Sequence, residues 1–169
     1  MADSVEVASG PPAVDQSGNL TLWWVPTISN VTAPTATEIG AAGAFRFTYS
    51  LTPEGWTPTA PTEKLDDQRL TAKQKKQSFG VTSPEIGDMI YVDSTDANSF
   101  AVKGASLTGG YIVERRNVPN ATLIAASQKV RVWTVTLGPE GPGPVNGQGK
   151  FTLLRPVVVE NMSAVVSVA

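Results

Sequence analysis

Side chains suited to chemistry are scarce in this chain, and those present are spaced poorly for it. The sequence has no Cys and no His, which removes the thiolate nucleophile, the thiolate metal site, the disulfide framework and the imidazole general base. Carboxylate, Lys, Tyr and Ser chemistry is what remains. Gly147-Gln148-Gly149-Lys150 has the outline of a phosphate loop. However, Phe151 follows the Lys where Ser or Thr would hold magnesium, and Pro144 occupies the position of the upstream Gly, so a Gly-rich hairpin is the better reading. Asp93, Asp96 and Asn98 offer oxygen atoms to a cation, but their spacing does not match a calcium loop; an Asp/Ser/Asn turn whose side chains bond their own backbone is expected there. Neither a catalytic constellation nor a cofactor or metal is expected.

A third group carries charge instead. Lys73, Lys75 and Lys76 lie in a segment, residues 62–80, with five basic and three acidic residues, a local charge of +2 that leaves −4 for the rest of a chain of net charge −2. With no aromatic interleaved and with acids alongside, stacking on nucleic acid or phosphate counterion release is disfavoured. A contact between this positive segment and a mildly acidic body fits better. Arg115-Arg116 ends a strand-like run, and alternation sends the two guanidinium groups to opposite faces, one within reach of Glu114.

The elements that position these groups read as strands. Hydrophobic residues make up 41% and charged residues 17%, with 15 Gly and 13 Pro, a composition that suits strands punctuated by turns. A chain of 169 residues can bury one core, so a single domain over residues 20–169 is expected after a polar, Pro/Gly-punctuated N-terminal arm, 1–19. In Leu20-Thr21-Leu22-Trp23-Trp24-Val25, Leu20, Leu22 and Trp24 share one face, and Pro26 ends the strand. Ala44 to Leu51 has the cleanest alternation, with Phe45, Phe47, Tyr49 and Leu51 pointing one way, and predicts a half-buried strand. Further strands are predicted at Met89 to Asp93, Gly110 to Arg116, Lys129 to Leu137, Lys150 to Leu154 and Pro156 to Val168. In Val130 to Leu137 both alternating sets are apolar or branched enough to imply a strand covered on both faces.

Thr52 to Gly80 interrupts this pattern as a long excursion rich in Pro, Gly and charge. Leu65 and Leu70 lie five apart, off any single helical face, and the i,i+4 pairs include like charges, so a helix is poorly supported and a projecting arm that orders against a partner is expected. The best opposite-charge pair by spacing is Asp66 with Arg69. Trp23, Trp24 and Trp133 lie in strands and read as core, whereas Trp56, in a Pro-flanked loop, is expected to face a partner. The predicted inter-subunit residues are Trp56, Leu65, Asp66, Asp67, Arg69, Leu70, Lys73, Lys75 and Lys76. Nothing in the chain approaches the roughly 20 apolar residues of a membrane-spanning helix.

The order of these strings resembles the major tail proteins (tail tube proteins) of actinobacterial siphophages. The likeness runs from about residue 18 to 155, through the Leu-Trp-Trp-Val-Pro strand, the Phe-x-Phe-x-Tyr strand with its Gly-Trp loop, Leu65-Asp66-Asp67-Gln68-Arg69-Leu70, Gly110-Tyr111-Ile112-Val113-Glu114-Arg115-Arg116-Asn117-Val118-Pro119 and Lys129 to Gly138. Asn117 stands where Gly is expected in many relatives. The resemblance implies an all-β fold, a β-sandwich or partial barrel with a short flanking helix, and a long loop (52–80) that touches the neighbouring ring. It also implies self-assembly into stacked six-membered rings around a channel that holds the tape-measure protein and later passes viral DNA, with tail terminator and tail-tip proteins as further partners. The implied location is the virion tail, after synthesis in the host cytoplasm. Two other classes remain open at this level: a small β-sandwich that binds carbohydrate or another surface through a groove of Trp residues, and a hydrolase with two carboxylates about 5 to 9.5 Å apart.

Overall fold

A computed structural model describes residues 13–70, 73–145 and 149–169. Most of the N-terminal arm, residues 1–12, and the Gly147-Gln148 half of the phosphate-loop lookalike lie outside these described residues.

Among the described residues the regular structure is mostly antiparallel strand, joined by turns and loops. In order, β1 is Leu20–Val25, α1 Ala36–Ile39, β2 Phe45–Arg46, β3 Pro58–Thr59, β4 Thr62–Asp67, β5 Lys76–Thr82, β6 Glu85–Ile86, β7 Met89–Val92 and α2 Phe100–Lys103. They are followed by β8 Gly109–Arg116, β9 Lys129–Leu137, β10 Gly141–Pro142, β11 Thr152–Arg155, β12 Val157–Met162 and β13 Val166–Ser167. One large sheet has the order β12-β9-β8-β1-β2, with β13 pairing the first residues of β9. A smaller sheet, β10-β11-β7, stands apart from it.

Alternation explains why the large sheet is covered on both sides. On one face, Leu22 and Trp24 of β1, Ile112 of β8 and Trp133, Val135 and Leu137 of β9 pack with Met89 and Tyr91 of β7 and Phe100 of α2. On the other, Trp23, Val25, Val113, Val130 and Val132 meet Ile28, Ile39 of α1 and Val168. The two-faced reading of Val130 to Leu137 therefore holds, and it extends to β1, whose Thr21, Trp23 and Val25 are as buried as Leu22 and Trp24. Burying both faces demands close approach. At Gly110 a Cβ would lie 2.5 Å from Cζ2 of Trp24, so the indole lies directly on the glycine backbone.

The segment Ala44 to Leu51 departs from its alternation. Only Phe45 and Arg46 pair with β1, and Thr48–Ser50 form a 3₁₀ turn. Local hydrogen bonds account for the break: Phe47 N–H donates to the Leu22 carbonyl, and the Leu22 N–H is taken by Thr48 Oγ1 at 2.8 Å instead of a backbone carbonyl. Phe45 and Phe47 still reach the core, but Tyr49 is exposed. Two one-turn helices occur where the resemblance implies one, and the first carries its own signal in the sequence. Thr35 and Glu38 form a capping box, with Glu38 Oε2 accepting from Thr35 N–H at 2.9 Å and Thr35 Oγ1 accepting from Glu38 N–H at 3.1 Å. Asn117 follows β8 with φ of 62°, in the left-handed region that Gly favours and Asn tolerates better than most, so Asn in place of the expected Gly fits this turn.

Candidate assembly surface

The excursion after the first strands is a β-hairpin. β4 and β5 pair antiparallel, with Asp67 opposite Lys76, Asp66 opposite Gln77, Leu65 opposite Ser78 and Lys64 opposite Phe79, and a bulge between Thr62 and Lys64. Lys73 and Lys75 belong to the connection between the strands. Nearly every described residue from Thr62 to Thr82 is exposed, and neither strand makes an extended contact with another element. The expectation that this segment takes its structure from a partner is thus corrected: cross-strand pairing of Thr-, Val- and Phe-containing strands satisfies its backbone within one chain.

The hairpin presents unusual surface chemistry. Leu70 is fully exposed, Phe79 is 80% and Val81 70% exposed, and Leu65 is 45% exposed. Phe79 and Val81, alternate residues of β5, share one face of the hairpin, whereas Leu65, opposite Ser78, lies on the other and Leu70 in the connection; apolar side chains this open leave area available for burial against another surface. Phe79 and Val81 were not among the predicted inter-subunit residues. Their alternation in Gln77-Ser78-Phe79-Gly80-Val81 is the signal in the sequence that they share one face of a strand.

Part of the charge is consumed internally. Asp67 pairs with Arg69 at 3.3 Å, while Asp66 accepts from Gln77 Nε2 at 2.8 Å and lies 3.5 Å from Lys75 Nζ. The pair expected from spacing, Asp66 with Arg69, is replaced because the register brings Asp66 opposite Gln77. These pairs are exposed and contribute at most about 1 kcal/mol each. Lys73 and Lys76 make no ion pair among the described residues, and they remain for contact with a second surface.

Trp56 is elsewhere. Its side chain is only 9% exposed, packs edge-on to Trp133 at 6.1 Å between ring centroids, and donates its indole N–H to Glu114 Oε1 at 3.2 Å. Its assignment to a partner-facing loop is corrected. The reason lies next to it: a Cβ at Gly55 would collide with the Ile90 carbonyl, so this glycine lets the turn press against β7 and directs Trp56 inward. With Trp23, Trp24, Trp56 and Trp133 all buried, the described surface offers no row of Trp residues to carry a sugar.

The adjacent arginines take opposite faces as alternation requires. Arg116 pairs with Glu114 at 2.6 Å, and Glu114 also accepts from the indoles of Trp56 and Trp133. Arg115 is fully buried and fans into the 117–128 loop, a role the sequence did not announce. In the Asp93 to Asn98 turn, Asp96 Oδ1 accepts from Asn98 N–H at 2.7 Å, and Ser94 Oγ from Asp96 N–H at 3.2 Å, the backbone-bonded arrangement expected. Among the described residues no cluster of Asp and Glu is placed to hold a metal.

Comparison of the sequence with known families finds that residues 7–169 match the family described as phage tail tube protein. The chain belongs to this family. The tail tube protein is therefore a structural component of a phage tail and not an enzyme, and its all-β architecture is that of the family. No curated protein matches the sequence. Among solved structures it is similar to a chain of the anti-feeding prophage baseplate, seen by cryo-electron microscopy with sixfold symmetrisation, at 10% identity over 91% of this chain and 95% of that one, with a TM-score of 0.47. Among the described residues no helix of the tail tube protein is long and apolar enough to cross a membrane.

Proposed function

We propose that residues 20–169 act as one tail-tube domain that polymerises as stacked, six-membered rings into the tube of a siphophage tail, of the type found in phages of actinobacteria, and that the channel conducts DNA. The exposed β4–β5 hairpin, with Leu65, Leu70, Phe79 and Val81 open to solvent, carries this reading. Contact with the next ring would bury the Phe79 and Val81 face of the hairpin and set Lys73 and Lys76 against the −4 remainder of a neighbour. Because the hairpin is already paired, docking avoids most of the roughly 1 to 2 kcal/mol per residue that ordering a free segment costs. Strands β12 and β2 stand at the two edges of the large sheet, and ring closure would remove these edges as sites of uncontrolled pairing. The tape-measure protein occupies the channel before DNA passes, and terminator and tip proteins cap its ends. The channel face is polar without being strongly basic, so that duplex DNA slides without being gripped.

The test replaces residues 63–80 with a short Gly-Ser turn, which keeps Trp56 and the β3–β6 pairing. The expected variant is folded by circular dichroism and forms no tubes in negative-stain micrographs at concentrations where the parent does. A variant that forms tubes as readily as the parent, or a parent that stays monomeric at every concentration and with tip complex added, would overturn the proposal.

A further inference from the structure

A second surface feature lies away from the hairpin, where the end of β8 meets the start of β9. A pocket of about 290 Å³ there is lined by Glu114, Arg116, Asn117, Lys129, Arg131 and Val165 among others. Three of these are cations and one is a carboxylate, a local charge of +2 in a chain of net charge −2. The carboxylate is not available to neutralise them all. Glu114 is 2% exposed and already accepts from Trp56, Trp133 and Arg116.

Arg131 is the cation left over. It stands directly opposite Glu114 in the β8–β9 ladder, yet no protein hydrogen bond or ion pair engages it among the described residues. Its guanidinium lies 6.0 Å from the centre of the Trp133 ring. Its Nε is shielded from solvent and has no partner. A carboxylate or phosphate oxygen is the natural acceptor for the planar guanidinium fork, and with Nε shielded it is the outer Nη groups that such an oxygen meets. Arg116, 57% exposed at its side chain, and Lys129, exposed and bonded to Ser167 Oγ at 2.6 Å, flank the same opening.

We propose that the Arg116, Lys129 and Arg131 pocket receives a carboxylate side chain from a second copy of this chain. The occupant follows from charge: outside the hairpin the chain is acidic, and Glu85 and Asp88 are exposed with no ion pair among the described residues. A concave site suits one inserted side chain better than the convex backbone of a sliding duplex. The inference rests on the assembly reading, and the pocket and the hairpin then form two separate charged contacts between subunits.

Two measurements test it. In the monomer, an acetate titration at constant ionic strength, followed by nitrogen-15 NMR, should move the Arg131 Nε–H signal; an unmoved signal would overturn the proposal. In assembly, Arg131→Met, which keeps the stem over Trp133, and Lys129→Gln, a surface change, should remain folded. Arg131→Met should need about tenfold more protein to form tubes and show a weaker dependence on salt, the loss of one charge-assisted contact; Lys129→Gln should show a smaller change in the same direction. Tubes from both variants at the parent's concentration would refute the pocket's role while leaving the tube reading intact, whereas a parent that forms no tubes would refute the tube reading and the second-copy occupant with it. A short DNA duplex that shifts Arg131 at concentrations where acetate does not would assign the pocket to phosphate and overturn the carboxylate.

Discussion

Replacing Arg115 should test the second core more sharply than any apolar truncation. Its side chain is fully buried on the face of β8 opposite to Glu114, and Nη1 donates to Gln128 Oε1 at 2.7 Å and the Leu123 carbonyl at 3.3 Å. Nη2 donates to the carbonyls of Thr122 at 2.9 Å and Pro119 at 3.1 Å and to Thr21 Oγ1 at 3.2 Å. Arg115 and Arg46 lie 5.0 and 5.1 Å from the Trp23 ring, and Arg46 donates to the Asn120 carbonyl at 2.5 Å, so two guanidinium groups fasten one loop to the sheet. Burial, and secondarily the charge of Arg46, lower the pKa of Arg115, but an arginine starts so high that it stays charged at any working pH. Hydrogen bonds to a charged group contribute about 1.5 to 3 kcal/mol each. Their sum is offset by desolvation of the guanidinium and by water reaching the surface-lying Thr122 and Leu123. We therefore expect Arg115→Met to cost about 3 kcal/mol, which at this chain length lowers Tm by roughly 6 to 12 °C. Arg115→Lys should recover little, because an ammonium cannot reach acceptors on both sides of the fork. Urea unfolding followed by tryptophan fluorescence reads both variants. A loss below about 1 kcal/mol in the Met variant, or a Lys variant equal to the parent, would refute the assignment of the loop's anchorage to this fork.

Two further outcomes are expected. Gly110→Ala places a methyl group against the Trp24 indole, and overpacking of this kind should cost about 1 to 3 kcal/mol, read as a lower urea midpoint; an unchanged midpoint would mean that the indole moves freely. The pKa of Glu38 is lowered to about 2 by backbone hydrogen bonds from Ser29 and then Thr35, so the folded carboxyl should titrate near that value by carbon-13 NMR. Because this pKa is depressed, the stabilisation is present above the unfolded value and lost as pH falls through about 2. Glu38→Gln should therefore gain less in Tm than the parent between pH 2 and pH 5, and parallel curves would refute the linkage.

The sequence alone determined the all-β class, the absence of imidazole and thiol chemistry, and the extents of β8 and β9 to within a residue. These were legible because a strand alternates with a period of two and β9 carries branched and aromatic residues on both faces. The sequence also showed the charge concentrated in 62–80 and carried a resemblance to tail tube proteins, which the match over residues 7–169 supports at the level of the phage tail tube family. It misjudged positions where long-range contacts override local pattern. Phe45 to Leu51 alternates perfectly, but Thr48 takes the Leu22 N–H and turns the chain out of the ladder. Trp56 has the flanking prolines of a surface loop, but Gly55 against Ile90 turns it inward to Trp133 and Glu114. Only the tertiary structure decided that Arg115 is a buried anchor, that Arg116 is spent on Glu114 and that Arg131 is left facing an open pocket. All three arginines sit in β8 and β9, and local sequence assigns them to faces. Whether a face meets a carboxylate, a ring of carbonyls or nothing depends on which strand and loop cross it, and chain topology sets that.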